Sequence, residues 1–463
     1  MFSHIECGET LPVGNVHAVS VSIPCVSDII SYEEGKNSAI KSGYPRFVLH
    51  PYLKKMAKYL EEKYMIDITQ EIVLVSSQNF ADLITKEHKI EQVVRFEEEF
   101  GVILLKKNTD QLKNVLSFIQ HVGCNLSSRF AEDYLYQRGL IDALHVEVLE
   151  VEERAHEVIL ETLSIAYNNS NIHLATSGMN AMYTALKGLQ EVRSGLVIQL
   201  GWLYLDSSHL IEAYDNKVFY DVNDLIKLEE FLSQFNGKVS CLVTEVPSNP
   251  LLQCADLKQL KNICLKYDID LVIDSTFATA YTKIEEADIL IESLTKFACG
   301  NADVLMGCLV LGKKYNNHVD KFLKNLDKPY IKDLQRLAFE IKGYRARVKK
   351  ANKNRALLVE FLETKNYIEK VYSSSLSPVI SVTFSMPFKD AYDTLNFCKG
   401  PSLGTEFTLL MPYVYLAYYK LLICEEGREI LKQNGIPTDL VRISVGTEDI
   451  EDIKKEFDRL DLR

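Results

Sequence analysis

The sequence lacks the signals of a secreted or membrane-embedded protein. Its ten cysteines are scattered along 463 residues with no Cys-x-x-Cys pair, which is typical of a reduced, cytoplasmic protein. The segment 1–8 shows no basic start followed by an apolar run, so we expect no secretory signal. No apolar stretch approaches the roughly 18 to 20 residues that cross a bilayer. We therefore expect no membrane association.

The sequence also lacks the spacings of common metal, nucleotide and nucleic-acid sites. Its histidines show no His-x-x-x-His or His-Glu-x-x-His pattern, so we expect no metal site. No Gly-x-x-x-x-Gly-Lys-Ser/Thr loop and no Gly-x-Gly-x-x-Gly after a strand indicates nucleotide binding. The net charge of -12 argues against a general nucleic-acid binder, because such surfaces cluster Lys and Arg. A local cationic pocket is still compatible with this charge.

The chain does have the length and composition of a multidomain globular enzyme. Its residues are 47% hydrophobic and 25% charged, and 463 residues predict two or three domains. We place an N-terminal accessory α/β region at 1–124, a large domain at 125–325 and a smaller C-terminal α/β domain at 326–463. The accessory region shows no catalytic motif.

Strand and helix patterns alternate between residues 177 and 312. Apolar runs predict strands at 196–200, 239–244, 270–274, 289–293 and 304–311. Between them, the segment 256–267 places Leu257, Leu260 and Ile263 on one helical face. Helical patterns also cover 125–170 and 328–364. The alternation predicts a mostly parallel sheet flanked by helices, with a ligand at the carboxyl ends of its strands.

Asp274 and Lys296 follow neighbouring predicted strands, so their side chains could meet in one crevice. Pyridoxal chemistry needs such a pair: an amine to form the Schiff base and a carboxylate to keep the pyridine nitrogen protonated. Taken singly, each residue is better explained by an ordinary structural role than by a catalytic one. Asp274 would be a helix cap and Lys296 a solvated surface lysine.

Hydroxyl groups and a helix start accompany this pair. Ser293 and Thr295 lie beside the lysine, and the segment 176–180 opens a helix after a strand-like run. Hydroxyls and the free N–H groups of a helix N-terminus together bind phosphate. Ser177 and Gly178 alone could equally form an N-cap and a turn. The combination is much less common than any one of its parts.

Five motifs occur in a family-specific order: Ser177-Gly-Met-Asn-Ala-Met182, Glu245-Val-Pro-Ser-Asn-Pro-Leu-Leu252, Asp274-Ser-Thr-Phe-Ala-Thr279, Ser293-Leu-Thr-Lys296 and Arg442-Ile-Ser-Val-Gly-Thr-Glu-Asp-Ile450. With them the chain resembles the cysteine and methionine metabolism group of fold-type I pyridoxal-phosphate enzymes, which includes cystathionine synthases and lyases. Stretches at 17–24, 42–47, 201–206 and 399–408 are most similar to the fungal-type cystathionine γ-synthases. The resemblance covers most of the chain.

The resemblance implies pyridoxal 5′-phosphate as cofactor and assigns roles to individual residues. Lys296 would hold the cofactor and shuttle protons, Asp274 would pair with the pyridine nitrogen, and Tyr204 would stack on the ring. The remaining cofactor contacts would come from Ser177, Gly178, Met179, Asn249, Thr276, Ser293 and Thr295. Ser402 would line the substrate pocket, and Arg442 would bind the substrate α-carboxylate. Outside these motifs, Tyr204 would be an ordinary core tyrosine and Arg442 a surface charge.

The chain departs from the family pattern at several positions. The usual Tyr-Ser-Arg-x-x-Asn-Pro segment, which reaches the phosphate of a neighbouring subunit, is missing in its usual form. Arg129 and Arg138 are both candidates for its arginine. The resemblance of its sequence context to the fungal type favours Arg129, while Arg138 preserves the Tyr-x-Arg spacing, and both could instead be solvated helix charges. Glu292 stands where histidine is frequent, and Ser275 where asparagine is frequent. We expect these two differences to affect substrate choice more than cofactor binding.

The expected activity is γ-replacement on an activated homoserine, an O-acyl or O-phospho ester, with cysteine to give cystathionine, as in methionine biosynthesis. Alternatives are γ-elimination, sulfhydrylation of homoserine, and substitution by a carbon nucleophile in a specialised pathway. In a further alternative from another class, the chain is a non-catalytic regulatory relic. The resemblance also implies small amino-acid substrates and a homodimer or homotetramer that shares active sites.

Overall fold

The structure is a computed structural model that describes residues 2–44, 48–91 and 94–462. The sequence motif at 42–47 therefore lies partly outside the described residues. Within the described ranges, no helix has the length and apolar character needed to cross a membrane.

Residues 2–44, called the N-terminal segment below, carry two short paired strands and a helix: β1 (Thr10–Leu11), β2 (Ser20–Val21) and α1 (Val26–Glu33). Its apolar side chains pack into the core of the C-terminal domain, where Val21, Ile23 and Ile29 are fully buried. The segment also contacts residues that follow it in the chain: His50 Nε2 donates to Val16 O at 2.8 Å, and the rings of His17 and His50 stack with centres 6.0 Å apart.

Residues 51–137 form a small α/β unit with the elements α2 (Pro51–Lys63), β3 (Gln70–Val75), α3 (Gln78–Glu87), β4 (Gly101–Lys106), α4 (Asp110–Val122) and α5 (Ser128–Gln137). Strands β3 and β4 are antiparallel, with Gln70 opposite Lys106. Helices α2 and α5 cover one side of this hairpin, while α3 and α4 pack their apolar faces toward the large domain. The unit therefore has two apolar layers.

The large domain carries α6 (Glu152–Tyr167), β5 (Ile172–Ala175), α7 (Gly178–Val192), β6 (Leu196–Leu200), α8 (Leu205–Ile211), β7 (Asn216–Phe219), α9 (Leu225–Gln234), β8 (Val239–Glu245), α10 (Leu257–Lys266), β9 (Asp270–Asp274), β10 (Ile289–Ser293), β11 (Gly307–Leu311) and α11 (Val319–Leu323). Among the described residues, seven strands form one sheet in the order β5-β11-β10-β9-β8-β6-β7. All neighbours from β10 to β7 are parallel, and β11 is antiparallel to both of its partners. The predicted mostly parallel sheet is confirmed.

Two predicted elements differ from the structure for local reasons. Coil between α5 and α6 interrupts the helical pattern predicted over 125–170. Gly139, with a φ of 66°, follows α5. Backbone groups of the coil bond distant partners; for example, Glu150 N–H donates to Gln335 O. The strand predicted at 304–311 begins only at Gly307. The backbone of Met306 is instead bonded to both the N–H and the hydroxyl of Thr295.

The C-terminal domain carries α12 (Ile331–Glu340), α13 (Tyr344–Leu362), β12 (Ile368–Ser373), β13 (Val379–Phe384), α14 (Phe388–Thr394), β14 (Cys398–Lys399), β15 (Leu409–Pro412), α15 (Tyr413–Ala417), α16 (Tyr419–Leu422), α17 (Glu425–Gln433), β16 (Val441–Ser444) and α18 (Ile450–Phe457). A 3-10 turn at Ile341–Gly343 divides the predicted helical stretch 328–364 into α12 and α13. The five strands pair in the order β12-β13-β16-β15-β14. Helix α13 packs into the large-domain core at its start and into the C-terminal core at its end, so it fixes one domain against the other.

Candidate active site

A cavity lies where the carboxyl ends of β8, β9 and β10 and the start of α7 meet the C-terminal domain. Its position is the one expected for ligands of open parallel sheets. Ten of the residues singled out from the sequence line it: Gly178, Met179, Tyr204, Asn249, Asp274, Thr276, Ser293, Lys296, Ser402 and Arg442.

Lys296 lies in the turn that follows β10, with its amine directed into the cavity. Its Nζ donates to Ser402 Oγ at 2.9 Å and lies 4.5 Å from the centre of the Tyr44 ring. Burial, and secondarily the positive charge of Arg442, lowers the pKa of Lys296 to about 7. A large fraction of the amine is therefore neutral near pH 7, as a nucleophile or a general base must be.

Asp274 is the last residue of β9 and is held by Thr276. Its Oδ1 accepts the N–H of Thr276 at 2.9 Å, and Thr276 Oγ1 in turn accepts the N–H of Ser293 at 2.9 Å. Burial raises the pKa of Asp274, while the bonds from Thr276 and the charge of Lys296 oppose that rise. A carboxylate in such a site favours a cationic partner, such as a protonated pyridine ring.

The start of α7 approaches the end of β10 closely. A Cβ added at Gly178 would lie 2.8 Å from Ser293 Cβ, so this contact needs glycine. Gly178, Met179 and Ser293 consequently bring helix N–H groups and a hydroxyl to one wall of the cavity. This arrangement fits a phosphate group.

Two hydroxyl residues predicted to contact the cofactor bond the backbone beside the cavity. Ser177 caps α7: its Oγ accepts the N–H of Asn180 at 3.0 Å and donates to Gly123 O at 2.9 Å. Thr295 is buried and bonded to the backbone of Met306, so it braces the turn that carries Lys296. Neither side chain lines the cavity.

Arg442 is a buried cation on β16 at the opposite wall. Its guanidinium donates to Asn249 Oδ1 at 3.2 Å and to the carbonyl of Ser402 at 2.8 Å. Burial lowers the pKa of Arg442 to about 10, so the group is still charged near pH 7. A fixed guanidinium in a cavity wall is suited to bind a carboxylate.

Glu245 is a cavity residue to which the sequence motif alone gave no role. It ends β8 directly opposite Asp274, and its carboxylate accepts the N–H of Tyr204 at the start of α8. Burial, with the nearby charge of Asp274, places the pKa of Glu245 well above its usual range. Its place at a parallel strand end was the signal that could have identified it. Tyr44 and Phe277 also line the cavity and lie in family-like stretches that assigned them no role, whereas Met411 and Tyr413 carried no comparable signal.

The two candidate phosphate-binding arginines lie outside this cavity. Arg129 is 1% exposed and bonds Glu147 at 2.7 Å, Asp333 at 3.0 Å and the carbonyl of Asp303 at 2.7 Å. This ionic cluster holds it inside its own chain. Arg138 is exposed at the end of α5, where its guanidinium stacks 3.3 Å from the ring centre of Tyr134.

The two family departures lie behind the cavity and do not line it. Glu292 is 1% exposed on β10 and accepts hydrogen bonds from the hydroxyls of Tyr167 and Tyr344. Ser275 donates to Ile291 O at 3.2 Å and lies 3.3 Å from the Tyr167 hydroxyl. Burial raises the pKa of Glu292 to about 7, against the opposing effect of the two tyrosine bonds. The expected influence of these positions on substrate choice would have to act through other residues.

The cavity as a whole matches the chemistry of pyridoxal phosphate. It combines a neutralised lysine amine, a carboxylate on the adjacent strand, a glycine-opened helix N-terminus and a tyrosine ring. Those groups could hold in turn the aldehyde, the pyridine nitrogen, the phosphate and the ring face of that cofactor.

Comparisons with known proteins point the same way. The family model described as Cys/Met metabolism PLP-dependent enzyme matches residues 151–384. An L-2-amino-4-chloropent-4-enoate dechlorinase/desaturase of Streptantibioticus cattleyicolor is 33% identical, covering 97% of each chain. The cystathionine gamma-synthase of Saccharomyces cerevisiae is 24% identical, covering 98% of each.

Solved structures share the fold. A cystathionine gamma-lyase from Micromonospora echinospora superposes with a TM-score of 0.59 at 20% identity, over 69% of this chain and 93% of that one. At this level of identity the likeness supports the fold-type I architecture alone.

Proposed function

Since the chain belongs to the Cys/Met metabolism family of PLP-dependent enzymes, we propose that it removes or replaces the γ-substituent of an L-α-amino acid. The observation that carries this proposal is the convergence of Lys296, Asp274 and Arg442 on one cavity. These groups supply a mobile base, a partner for the cofactor nitrogen and a clamp for the substrate carboxylate.

Each residue has a task that follows from its position. Bound pyridoxal phosphate supplies an electron sink that makes the Cα and Cβ hydrogens of an amino acid acidic. Arg442, oriented by Asn249, binds the α-carboxylate, and Asp274 holds a proton at the pyridine nitrogen. Lys296 moves protons at Cα and Cβ, since its lowered pKa leaves a large fraction of the amine neutral near pH 7 and Ser402 positions it. Departure of the γ-substituent follows from proton removal at Cβ.

The first candidate outcome is replacement by cysteine of the γ-substituent of an activated homoserine, giving cystathionine. The full-length similarity to a yeast cystathionine gamma-synthase supports it. The second candidate is elimination without an incoming thiol. The full-length similarity to a dechlorinase/desaturase supports that one, at higher identity.

An assay of purified, cofactor-loaded protein separates the two outcomes. O-acetylhomoserine and a γ-chloro amino acid are each incubated with and without cysteine, and cystathionine, 2-oxo acid and released chloride are quantified. Replacement predicts cystathionine that depends on the thiol, whereas elimination predicts the same product with or without it. Failure of every substrate to lose its γ-group would contradict the proposal.

The lysine assignment is tested by absorption. Addition of pyridoxal phosphate should produce a band at about 420 nm, as expected for the lysine-bound cofactor. Lys296→Ala should abolish it, whereas Lys283→Ala, which removes an exposed lysine paired with Glu285, should not. A retained band in Lys296→Ala would contradict the assignment, and a normal band without turnover would favour a non-catalytic role.

A further inference from the structure

A buried carboxyl group lies directly behind the residues that line the cavity. Glu292 precedes the cavity residue Ser293 on β10, and its side chain, which is 1% exposed, is on the opposite face of the sheet. Strand β10 runs beside β9, with Ile291 opposite Asp274. Glu292 is therefore one residue beyond the partner of Asp274, and the proposed reaction gives it no task.

Two tyrosines hold this carboxyl in a form suited to a negative charge. The hydroxyl of Tyr167, at the end of α6, donates to one carboxyl oxygen of Glu292, and that of Tyr344, at the start of α13, donates to the other. The Tyr344 oxygen also accepts the N–H of Ala280 at 3.0 Å, which leaves its own hydrogen for the carboxyl. An ionised carboxylate only accepts hydrogen bonds, so two hydroxyl donors favour the ionised form.

The titratable groups around Glu292 come from several elements of the fold. They are Tyr167 of α6, Tyr344 of α13, Cys308 opposite it on β11, Asp274 of β9 and Tyr281 in the loop after β9.

None of these five groups is a cation. Burial raises the pKa of Tyr167, Tyr344 and Cys308 well above their usual ranges, so they stay neutral near pH 7. Burial raises the pKa of Glu292 to about 7 against the two tyrosine bonds, and the negative charge of Asp274 adds to the rise. The two carboxylates therefore repel each other when both are ionised, and a nearby cation would relieve that repulsion.

Tyr167 also connects Glu292 to the chain beside Asp274. Its hydroxyl oxygen lies 3.3 Å from Oγ of Ser275, the residue that directly follows Asp274. The N–H and the hydroxyl of Ser275 both donate to Ile291 O, at 2.8 Å and 3.2 Å. These bonds hold the end of β9 against β10, so the two carboxyl groups are kept near each other.

A protonated pyridine ring bound at Asp274 would supply the missing cation. Resting on the proposed role of Asp274, we propose that Glu292 is a positioning residue for the cofactor that acts through Asp274. As an ionised carboxylate it strengthens the hold of Asp274 on the protonated ring. Loss of its charge makes the bound cofactor release a proton more readily.

The pH at which the bound cofactor loses a proton tests this inference without turnover. The lysine-bound form that absorbs at about 420 nm is protonated, and its band is recorded against pH in the cofactor-loaded protein. Glu292→Gln keeps the size and an acceptor for the tyrosines but removes the charge. The midpoint of band loss should therefore lie at least about half a pH unit lower than in the parent.

Two further variants accompany this measurement. Glu292→His places the residue that is frequent in the family at this position, and it should shift the midpoint in the same direction because it carries no negative charge. Glu285→Gln removes an exposed glutamate that is paired with Lys283 and should leave the midpoint unchanged.

A double variant tests whether Asp274 carries the effect. When Glu292→Gln is added to Asp274→Asn, it should cause less than about half of the shift that it causes alone, because the two residues act as a unit. The full shift in the absence of the Asp274 charge would overturn the role assigned to Asp274.

Proton release on cofactor binding provides a second measurement. At pH 7 about half of the Glu292 carboxyls in the cofactor-free protein are protonated, since their pKa is about 7. A bound ring cation favours the ionised form, so the parent should release up to about half a proton more per cofactor than Glu292→Gln. Calorimetry in buffers of different ionisation enthalpy counts these protons.

The outcomes separate this inference from the proposed function. An unchanged midpoint in both Glu292 variants, or equal proton release, would overturn the inference even if γ-substituents are released as proposed. A Glu292-dependent midpoint in an enzyme that releases no γ-substituent would overturn the reaction class and retain the inference. If Glu292→Gln unfolds, as its melting temperature would show, the histidine variant decides both measurements.

Discussion

At the scale of single residues, the reactivity of Lys296 depends on its protonation state. Below its pKa the amine is charged and cannot attack the cofactor aldehyde, and burial lowers that pKa to about 7. The rate of pyridoxal phosphate capture by the cofactor-free protein should therefore rise with pH and reach half its plateau near pH 7. Stopped-flow absorbance measures it. A midpoint near pH 10, the ordinary range of lysine, would contradict this account of the site.

Glu292 makes a second residue-level prediction, on stability. Its pKa is raised by burial to about 7 in the folded chain, so the folded state holds a proton that the unfolded chain releases near pH 4.5. Stability from this group is fully present below pH 4.5 and is lost as pH rises through 7. Glu292→Gln cannot ionise and should lose less stability over this interval. Urea unfolding midpoints of both proteins at pH 5 and pH 7.5 provide the comparison.

An identical pH dependence in Glu292→Gln and the parent chain would show that this carboxyl is not the titrating group. Tyr344→Phe is a useful companion, since it removes one of the two hydroxyl donors to Glu292. The pKa of the carboxyl should then rise further and extend the pH range over which stability is lost.

The sequence located residues at strand ends well and residues behind the sheet poorly. Asp274 and Lys296 could be placed in one crevice because parallel strands end at one edge of the sheet. The role of Glu292 could not be predicted from the sequence, because its hydrogen-bond partners Tyr167 and Tyr344 lie on helices that are distant in sequence. The bond of the Thr295 hydroxyl to Met306 O could not be predicted either, because it is also a tertiary contact.

At the scale of elements, the contact between α7 and β10 controls the proposed phosphate site. Gly178→Ala would place a Cβ 2.8 Å from that of Ser293, so the helix start must shift away. The affinity for pyridoxal phosphate should fall at least about tenfold, because the helix N–H groups then miss the phosphate. Equilibrium titration by absorbance measures it.

Ser177→Ala is the matched control for this contact. It removes the cap of α7 and should lower stability by about 1 kcal/mol, but it leaves the packing against Ser293 in place. Its cofactor affinity should change much less than that of Gly178→Ala. Equal losses in both variants would mean that the cap, rather than the close approach, forms the site.

Element boundaries follow from the sequence where the apolar pattern is local. The predicted strands 270–274 and 289–293 coincide with β9 and β10. The coil between α5 and α6 escaped prediction because its apolar spacing suits a helix while its backbone groups bond distant partners. Periodicity describes which face is buried but not what covers it.

At the scale of the whole molecule, the N-terminal segment shows the same limit. Its apolar residues Val21, Ile23 and Ile29 predict burial, yet nothing local indicates that they enter a core some 400 residues away in sequence. The segment also contacts the small α/β unit, where His50 Nε2 donates to Val16 O at 2.8 Å, so it packs against both bodies. The active site draws on both ends of the chain as a consequence.

Assembly gives the last prediction. We propose that the exposed Arg138, rather than the enclosed Arg129, reaches the phosphate site of a neighbouring copy. Two inactive variants, Arg138→Ala and Lys296→Ala, should then complement each other, because a hybrid dimer contains one site with both residues intact. Random mixing of equal amounts should restore about a quarter of the parent activity.

Activity is measured after mild denaturation and joint refolding of the two proteins, with each refolded alone as control. If mass spectrometry shows hybrids in the mixture and no activity returns, Arg138 lies outside the neighbouring site. Arg129→Ala cannot replace Arg138→Ala in this test. It leaves the buried carboxylates of Glu147 and Asp333 without their cation and should unfold the chain.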